Sequence, residues 1–93
     1  MFKTNEYFDG KVKSIALESA EGKATVGVMA AGEYEFGTST VEIMTVISGK
    51  LSIKLPEDKE WKVYKKFESF VVANGVKFKV KADEDTPYLC LYK

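Results

Sequence analysis

Glu42 is the residue of this chain that is hardest to explain by packing alone. It lies in the run 41–47, in which every other side chain except Thr45 is apolar. In an extended strand alternate side chains share a face, so Glu42 points the same way as Met44 and Val46. We expect both faces of this strand to be buried, and a buried carboxylate is costly unless it is paired, protonated or held for a ligand. Glu42 is therefore either paired with a neighbouring lysine or part of a functional site.

Few other side chains could take part in catalysis by themselves. The chain contains no histidine and a single cysteine, Cys90, so a zinc site built from these residue types is excluded. With no histidine to activate it, Cys90 is predicted to be a small buried hydrophobe and not a nucleophile. Carboxylates alone could still hold a hard cation.

The charges of the chain limit its partners. All 14 positive charges are lysines, and 14 acidic residues balance them, so we expect no nucleic acid partner. Without arginine, an anion would be held by lysine, backbone N–H or hydroxyl groups and not by a guanidinium fork. No apolar run approaches the roughly 18 residues of a membrane span and no signal peptide is recognisable, so we expect a cytoplasmic protein without a membrane partner.

The elements that must position these side chains are strands. Apolar and polar residues alternate with period two through most of the chain, and no segment shows the 3.6 period of a helix. About nine short runs of this kind are bounded by turn formers, at 11–17, 24–29, 33–36, 41–47, 51–55, 61–64, 70–72, 76–81 and 88–92. This pattern predicts an all-β sandwich or barrel that forms one domain over residues 1–93.

The segment 32–49 resembles the first sequence motif of the metal-binding cupins, because it ends in Glu42, six residues and a glycine. Metal-binding cupins carry histidines four and six residues before this glutamate, where the present chain has Thr38 and Phe36. The position of the second-motif histidine falls near Phe78. Only the glutamate remains of the usual ligand set, so the resemblance argues against a catalytic transition metal, and we expect no cofactor.

A more specific resemblance covers nearly the whole chain. The segments that carry it are Asn5-Glu6-Tyr7-Phe8, Gly10-Lys11-Val12-Lys13-Ser14, Gly27-Val28-Met29, Gly32-Glu33-Tyr34 with Phe36, Glu42-Ile43-Met44-Thr45-Val46-Ile47-Ser48-Gly49, Leu55-Pro56, Trp61, Ala73-Asn74 and Thr86-Pro87-Tyr88-Leu89-Cys90-Leu91-Tyr92. They resemble the small bacterial cupins of the pyrimidine/purine nucleoside phosphorylase family. The resemblance implies a single-domain cupin (RmlC-like) jelly roll barrel that forms a homodimer. It also implies cleavage of purine and pyrimidine nucleosides with phosphate to free base and ribose 1-phosphate.

This resemblance gives the candidate residues their expected roles. Breaking an N-glycosidic bond passes through a cationic sugar, and Glu42 is predicted to stabilise that charge. Bases stack on aromatic faces without hydrogen-bond readout, so one pocket could accept purines and pyrimidines. The side chains predicted to bind the nucleoside are aromatic or carry a hydroxyl group: Tyr34, Phe36, Thr38, Thr40, Phe78 and Tyr88.

The phosphate must bind beside C1′ of the ribose. Lys11 and Lys13 are predicted to supply positive charge, and Thr38, Ser39, Thr40 and Asn74 to supply neutral donors. The lysines and Asn74 have a simpler interpretation as well. Alternating lysines usually mark the solvated face of a strand, and Asn74 with Gly75 is typical of a hairpin turn.

Two other functions remain open on the sequence. One is a non-enzymatic cupin that binds a sugar or nucleotide fragment in the same pocket. The other is a metal enzyme, such as an isomerase, whose cation is held by carboxylates.

Three features concern local conformation. Val72 stands where a proline is common in the family, and Phe67 stands where we expect glycine. Both lie in one hairpin, so they affect its loop more than the fold. The aromatic segment 5–8 is either an ordinary first strand or an extension that covers a sheet edge of the partner in a dimer.

Overall fold

Ten β-strands and no helix form the structure, a computed structural model that describes residues 1–93. The strands are β1 Thr4–Tyr7, β2 Val12–Ser19, β3 Gly22–Met29, β4 Gly32–Gly37, β5 Glu42–Val46, β6 Lys50–Lys54, β7 Lys62–Lys65, β8 Ser69–Val72, β9 Lys77–Ala82 and β10 Thr86–Tyr92. The all-β prediction is confirmed, and the nine expected strands correspond to β2 through β10. No helix of the kind that could cross a membrane is present.

The strands form two antiparallel sheets that face one another. One has the order β1-β2-β3-β10-β5-β8 and the other the order β4-β9-β6-β7. Strands β3 to β10 are divided four and four between the sheets, as in the eight-stranded jelly roll. No strand pairing joins the two sheets. The jelly roll is therefore a two-sheet sandwich and not a single closed barrel.

Strand β1 belongs to the sheet of its own chain. It pairs with β2, with Thr4 opposite Ile15 and Tyr7 opposite Val12. The aromatic N-terminal segment is thus an ordinary first strand followed by a tight turn. Phe8 and Asp9 in that turn have positive φ angles of 54° and 58°. Hairpin turns with positive φ favour Asn and Gly, and other residues are strained there by roughly 1–2 kcal/mol each.

The core lies between the sheets. Its fully buried side chains come from alternate positions of both sheets: Val12, Met29, Val46, Leu51, Ile53, Val72 and Val80. Ile43 and Thr45 on the opposite face of β5 are only half-buried. The expectation that β5 is buried on both faces is therefore wrong for its outer face, because the outer surface of the six-stranded sheet faces solvent.

Phe67 is a strained residue whose replacement should stabilise the fold. It has a positive φ of 66° in the turn between β7 and β8, and its side chain is 69% exposed. A bulky residue rarely adopts this conformation, which gives a physical reason to expect glycine here. We predict that Phe67→Gly raises the free energy of unfolding by up to about 1 kcal/mol, or about 4–8 °C in the melting midpoint.

Thermal unfolding followed by circular dichroism measures this effect. Phe67→Ala is the matched control, since it removes the ring and keeps a β-carbon at positive φ. An equal gain from Phe67→Ala would show that the exposed ring, and not the backbone, limits stability.

Candidate active site

A cavity of about 390 Å³ opens between the two sheets, beside the connection from β4 to β5. Both sheets and the turn after β1 contribute to its lining. The residues are Tyr7, Phe8, Ser14, Met29, Glu35, Phe36, Gly37, Ser39, Glu42, Met44, Phe78, Tyr88, Cys90 and Tyr92. Two carboxylates and no lysine line the cavity. Its walls are therefore mostly neutral and rich in aromatic side chains, with acidic groups as the only formal charges.

The register of β5 and β10 brings the polar side chains of the cavity close to one another. Tyr88, Cys90 and Tyr92 alternate along β10 and so share its inward face. On the neighbouring β5, Glu42 lies opposite Tyr92 and Met44 lies opposite Cys90. The sequence alternation thus places one carboxylate beside a thiol and two phenols.

Glu42 has no basic partner. None of the three ion pairs in the structure includes it, and its recorded side-chain hydrogen bond is donated by Cys90 Sγ to Oε1 at 3.4 Å. Burial raises the pKa of the Glu42 carboxyl above its ordinary value, and the bond from Cys90 offsets part of that rise. The alternative that Glu42 is paired with a lysine is wrong. The cavity holds a partly desolvated carboxylate without a counter-ion.

Cys90 and Tyr92 are neutral polar neighbours of this carboxylate. Burial, followed by the nearby charge of Glu42, raises the pKa of the Cys90 thiol to about 12. The thiol therefore stays protonated at neutral pH, so Cys90 is unsuited to act as a nucleophile. It is nevertheless more than a packing residue, because it lines the cavity and contacts Glu42. The hydroxyl of Tyr92 lies 3.0 Å from that of Thr25, and burial raises the pKa of Tyr92.

Tyr88 occupies its place because its neighbour is glycine. Gly27 on β3 lies directly opposite Tyr88 on the neighbouring β10. On its other side it lies opposite Ser14 on β2. A β-carbon on Gly27 would lie 2.6 Å from the ring carbon Cζ and the hydroxyl oxygen of Tyr88, and 2.8 Å from the backbone oxygen of Lys13. Burial raises the pKa of Tyr88 to about 12, so the phenol is a neutral donor in the cavity. The absence of a side chain at Gly27 thus leaves the space that the Tyr88 ring occupies in the cavity wall.

The wall opposite the carboxylate is aromatic. Phe36 on β4 and Phe78 on β9 are register partners, and their ring centroids are 5.8 Å apart with an interplanar angle of 31°. Phe8 from the turn after β1 lies at the mouth, with its ring edge-on to Phe36 at 5.4 Å. Such tilted and edge-on contacts are the preferred arrangements of aromatic pairs. They leave ring faces available along one side of the cavity.

The structure brings together five of the predicted site residues. Glu42, Phe36, Ser39, Phe78 and Tyr88 line the cavity. The structure shows that these residues line the same cavity. Their roles in substrate binding and catalysis stay predictions. Their residue types and the resemblance to the family were the signals for these residues, and alternation assigned only Glu42 to a shared face, with Met44 and Val46.

Three further predicted substrate-binding residues lie outside the cavity lining. Tyr34 is buried, and its hydroxyl donates to the carbonyl oxygen of Ala30 at 2.6 Å. The Thr38 hydroxyl donates to the carbonyl oxygen of Ala73 at 2.7 Å and accepts from the N–H of Val76 at 3.1 Å. It therefore ties two loops together. The hydroxyl oxygen of Thr40 is buried and has no hydrogen-bond partner.

Lys11, Lys13 and Asn74, which are predicted to bind phosphate, also lie outside the cavity lining. Lys11 and Lys13 are exposed on either side of the buried Val12, and Lys13 lies 4.0 Å from Glu6. Asn74 is exposed in the turn between β8 and β9. None of the three contributes to the space around Glu42. A phosphate role for them stays untested.

Sequence reasoning missed several lining residues. Ser14 and Tyr92 could have been found from alternation, since Ser14 is two residues from the inward-facing Val12 and Tyr92 is two residues beyond Cys90. Tyr7 and Phe8 could not, because they reach the cavity only through the fold of the β1–β2 hairpin. No group of three or more His, Cys, Asp or Glu side chains comes together in the chain.

Comparison with solved structures confirms the cupin fold. An RmlC-like cupin from Shewanella frigidimarina superposes with a TM-score of 0.74 over 96% of this chain and 80% of its own, at 18% identity. A protein of unknown function from Vibrio parahaemolyticus is more similar. It gives a TM-score of 0.93 at 40% identity, covering 97% of this chain and 96% of its own.

Sequence comparison identifies the family. The profile of the family described as "Pyrimidine/purine nucleoside phosphorylase" matches residues 2–92. A protein of Pseudomonas syringae pv. tomato that carries the same name is 58% identical over 93 residues, which cover 100% of both chains. Because the match extends over nearly the whole chain in both comparisons, this protein belongs to the pyrimidine/purine nucleoside phosphorylase family.

Proposed function

We propose that this enzyme cleaves both purine and pyrimidine nucleosides with inorganic phosphate, releasing the free base and ribose 1-phosphate. The observation that carries the proposal is the unpaired carboxylate of Glu42 in a cavity walled by Phe36 and Phe78. Family membership favours this enzyme over a cupin that only binds a sugar or nucleotide fragment.

The proposed reaction exchanges one bond at C1′ of the ribose for another. The bond to the base breaks with its electron pair on the base nitrogen, and a phosphate oxygen forms the new bond to C1′. The proton of the hydrogen phosphate ends on the base nitrogen, so the reaction balances without a cofactor. The sugar is cationic near the transition state, and Glu42 stabilises it because a carboxylate acts strongly in a partly desolvated site.

Broad base tolerance follows from the character of the walls. Phe36 and Phe78 offer aromatic faces and no hydrogen-bonding groups, so they bind the flat surface of a base and not its edge. Stacking on such faces is worth about 1–3 kcal/mol per base and does not require a particular hydrogen-bonding edge. The cavity is thus suited to purines and pyrimidines alike.

We assign phosphate binding to neutral donors beside Glu42. The connection from β4 to β5 carries the Ser39 hydroxyl, and the N–H groups of Ser39 and Thr40 bind no backbone carbonyl. These groups are close in sequence to the proposed catalytic carboxylate and include a residue that lines the cavity. Lys11, Lys13 and Asn74 could contribute only from outside the cavity as the structure describes it.

We also propose that two copies associate through the outer face of the six-stranded sheet. This face exposes the apolar side chains of Ile15, Val26, Val28 and Val71. Monomers rarely expose large contiguous apolar patches, and a second copy placed symmetrically would cover the same face on both chains. A sedimentation mass of one 10.4 kDa chain would contradict the homodimer.

We place the enzyme in the cytoplasm, because its single cysteine is a buried free thiol.

The phosphate requirement tests the proposed reaction. Base release from uridine and from adenosine is measured as an initial rate, with and without phosphate. We expect release from both nucleosides and only with phosphate. Equal release without phosphate would contradict phosphorolysis. No release from any common nucleoside would contradict the assignment.

The pH dependence of kcat/KM should report the state of Glu42 in the free enzyme. The reaction needs the ionised carboxylate, so kcat/KM should fall as the pH is lowered through the raised pKa of Glu42. That acid limb should lie above pH 4.5, the ordinary glutamate value. A pH–rate profile measures it. An acid limb at or below the ordinary value would mean that the titrating group is not Glu42.

A further inference from the structure

The turn after β1 places an aromatic ring at the mouth of the cavity. Phe8 lines the cavity, and its side chain is 42% exposed. Its ring centroid lies 4.9 Å from that of Tyr34 and 5.4 Å from that of Phe36. These two rings hold Phe8 from the side of the four-stranded sheet. The remainder of the ring borders the empty space in which a ligand would lie.

The backbone at Phe8 is not what a simple turn requires. Phe8 and Asp9 both have positive φ, and Gly10 follows with a φ of 82°. A turn that only reversed the chain would be easiest to form with Asn or Gly at these positions. Strained residues of this kind cluster at ligand sites, where the surrounding contacts hold them in place. The strain in this turn therefore indicates that the Phe8 ring, which the turn places beside the cavity, has a role in ligand binding.

Phe67 shows that the strain alone does not make a site. Phe67 is the other phenylalanine with a positive φ, at 66°. It does not line the cavity. Its recorded ring contact is with the ammonium group of Lys66, at 4.9 Å. The two phenylalanines thus share a backbone conformation and differ in whether the ring borders the cavity.

We propose that Phe8 is a specificity-determining residue that stacks on the nucleoside base. The inference rests on the proposed phosphorolysis and adds a residue of the β1–β2 hairpin that packs against the aromatic wall. A phenyl ring offers a π face and no hydrogen-bonding group, so Phe8 favours flat heteroaromatic bases without distinguishing their edges. Purines have the larger ring system and gain more from this contact than pyrimidines. Phe8 thereby sets the relative affinity for the two classes.

Steady-state kinetics on three variants test this role. Phe8→Leu keeps an apolar side chain without a π face, and its KM should rise about 5- to 100-fold, more for adenosine than for uridine, with kcat changed only a few-fold. Phe8→Tyr restores the ring and should remain near the wild-type KM. Phe8→Asn removes the ring but suits positive φ, so it should fold normally and still show the raised KM. Phe67→Leu is the matched control and should leave both KM values unchanged.

Each outcome separates this inference from the proposed function. Wild-type KM values in both Phe8→Leu and Phe8→Asn, with an active wild-type enzyme, would overturn the stacking role alone. A fall in kcat and in the melting midpoint without a KM change would show that Phe8 acts only through the fold, and would also overturn it. A wild-type enzyme that releases no base from either nucleoside would overturn the proposed function and this inference together.

Discussion

Glu42→Gln should reduce kcat for nucleoside phosphorolysis by about 10²- to 10⁴-fold, in the range seen when a transition-state-stabilising or proton-transferring group is lost. Glutamine has nearly the same shape and can still accept the hydrogen bond from Cys90 Sγ, so the cavity should keep its form. Only the negative charge is lost, and that charge is needed mainly when the sugar becomes cationic. KM should therefore change only a few-fold.

The same substitution should stabilise the fold at neutral pH. Because burial raises the pKa of Glu42, the folded chain binds this proton more tightly than the unfolded chain. The stability that this preference contributes is present below the unfolded pKa and is lost as the pH rises through the folded pKa. Glutamine, which stays neutral, avoids that loss, so the melting midpoint of Glu42→Gln should exceed that of the wild type at pH 7 and approach it in acid.

Glu33→Gln is the matched control for both measurements. Glu33 is an exposed carboxylate on β4 that lies opposite Lys81 and does not line the cavity. Its replacement should leave kcat and the melting midpoint close to the wild-type values. If Glu42→Gln retained kcat within a few-fold, Glu42 would not be the catalytic carboxylate.

Gly27→Ala should damage both the fold and the activity. The new β-carbon would lie 2.6 Å from the Tyr88 side chain and 2.8 Å from the backbone oxygen of Lys13, so both contacts must be relieved. Overpacking of this kind destabilises proteins by about 1–3 kcal/mol. The Tyr88 ring is the movable partner, and the cavity of about 390 Å³ is the space beside it. A ring displaced by about 1 Å into the substrate site should lower kcat/KM by about 10²-fold.

A second substitution tests whether the Tyr88 ring is the cause. In Gly27→Ala, the further change Tyr88→Leu shortens the side chain that the β-carbon would strike. The double variant should be more stable than the sum of the two single losses implies, since residues in contact are coupled. Chemical denaturation of all four proteins measures this coupling. Additive losses would show that the contact with the backbone of Lys13, and not Tyr88, determines the effect.

Alternation along the chain is a local property, and it predicted the strands well. It identified β2 through β10 and put Met44 and Val46 on one face of β5, which is the buried face, although both faces were expected to be buried. Alternation also indicates that Lys11 and Lys13 face solvent, because residues that flank the inward-facing Val12 must face outward. The resemblance to a phosphate-using family led to a different expectation for these two lysines.

Other parts of the site depend on long-range geometry that no local pattern reports. Tyr34 shares an inward face with Phe36, yet Phe8 covers it and its hydroxyl is bound to Ala30. The place of Phe8 depends on a strained turn that sequence propensities disfavour. The role of Gly27 appears only when Tyr88 is opposite it. Turn geometry and cross-sheet contacts thus determine which inward-facing residues border the cavity.

The most direct test of Glu42-dependent phosphorolysis is the fate of phosphate in a single reaction. Phosphorus NMR follows uridine and inorganic phosphate incubated with the wild-type enzyme and, separately, with Glu42→Gln. Phosphorolysis at Glu42 should give a growing ribose 1-phosphate signal that matches the uracil released by the wild type, and a rate at least about 10²-fold lower in the variant. Uracil release with an unchanged inorganic phosphate signal, or equal rates in the two proteins, would contradict it.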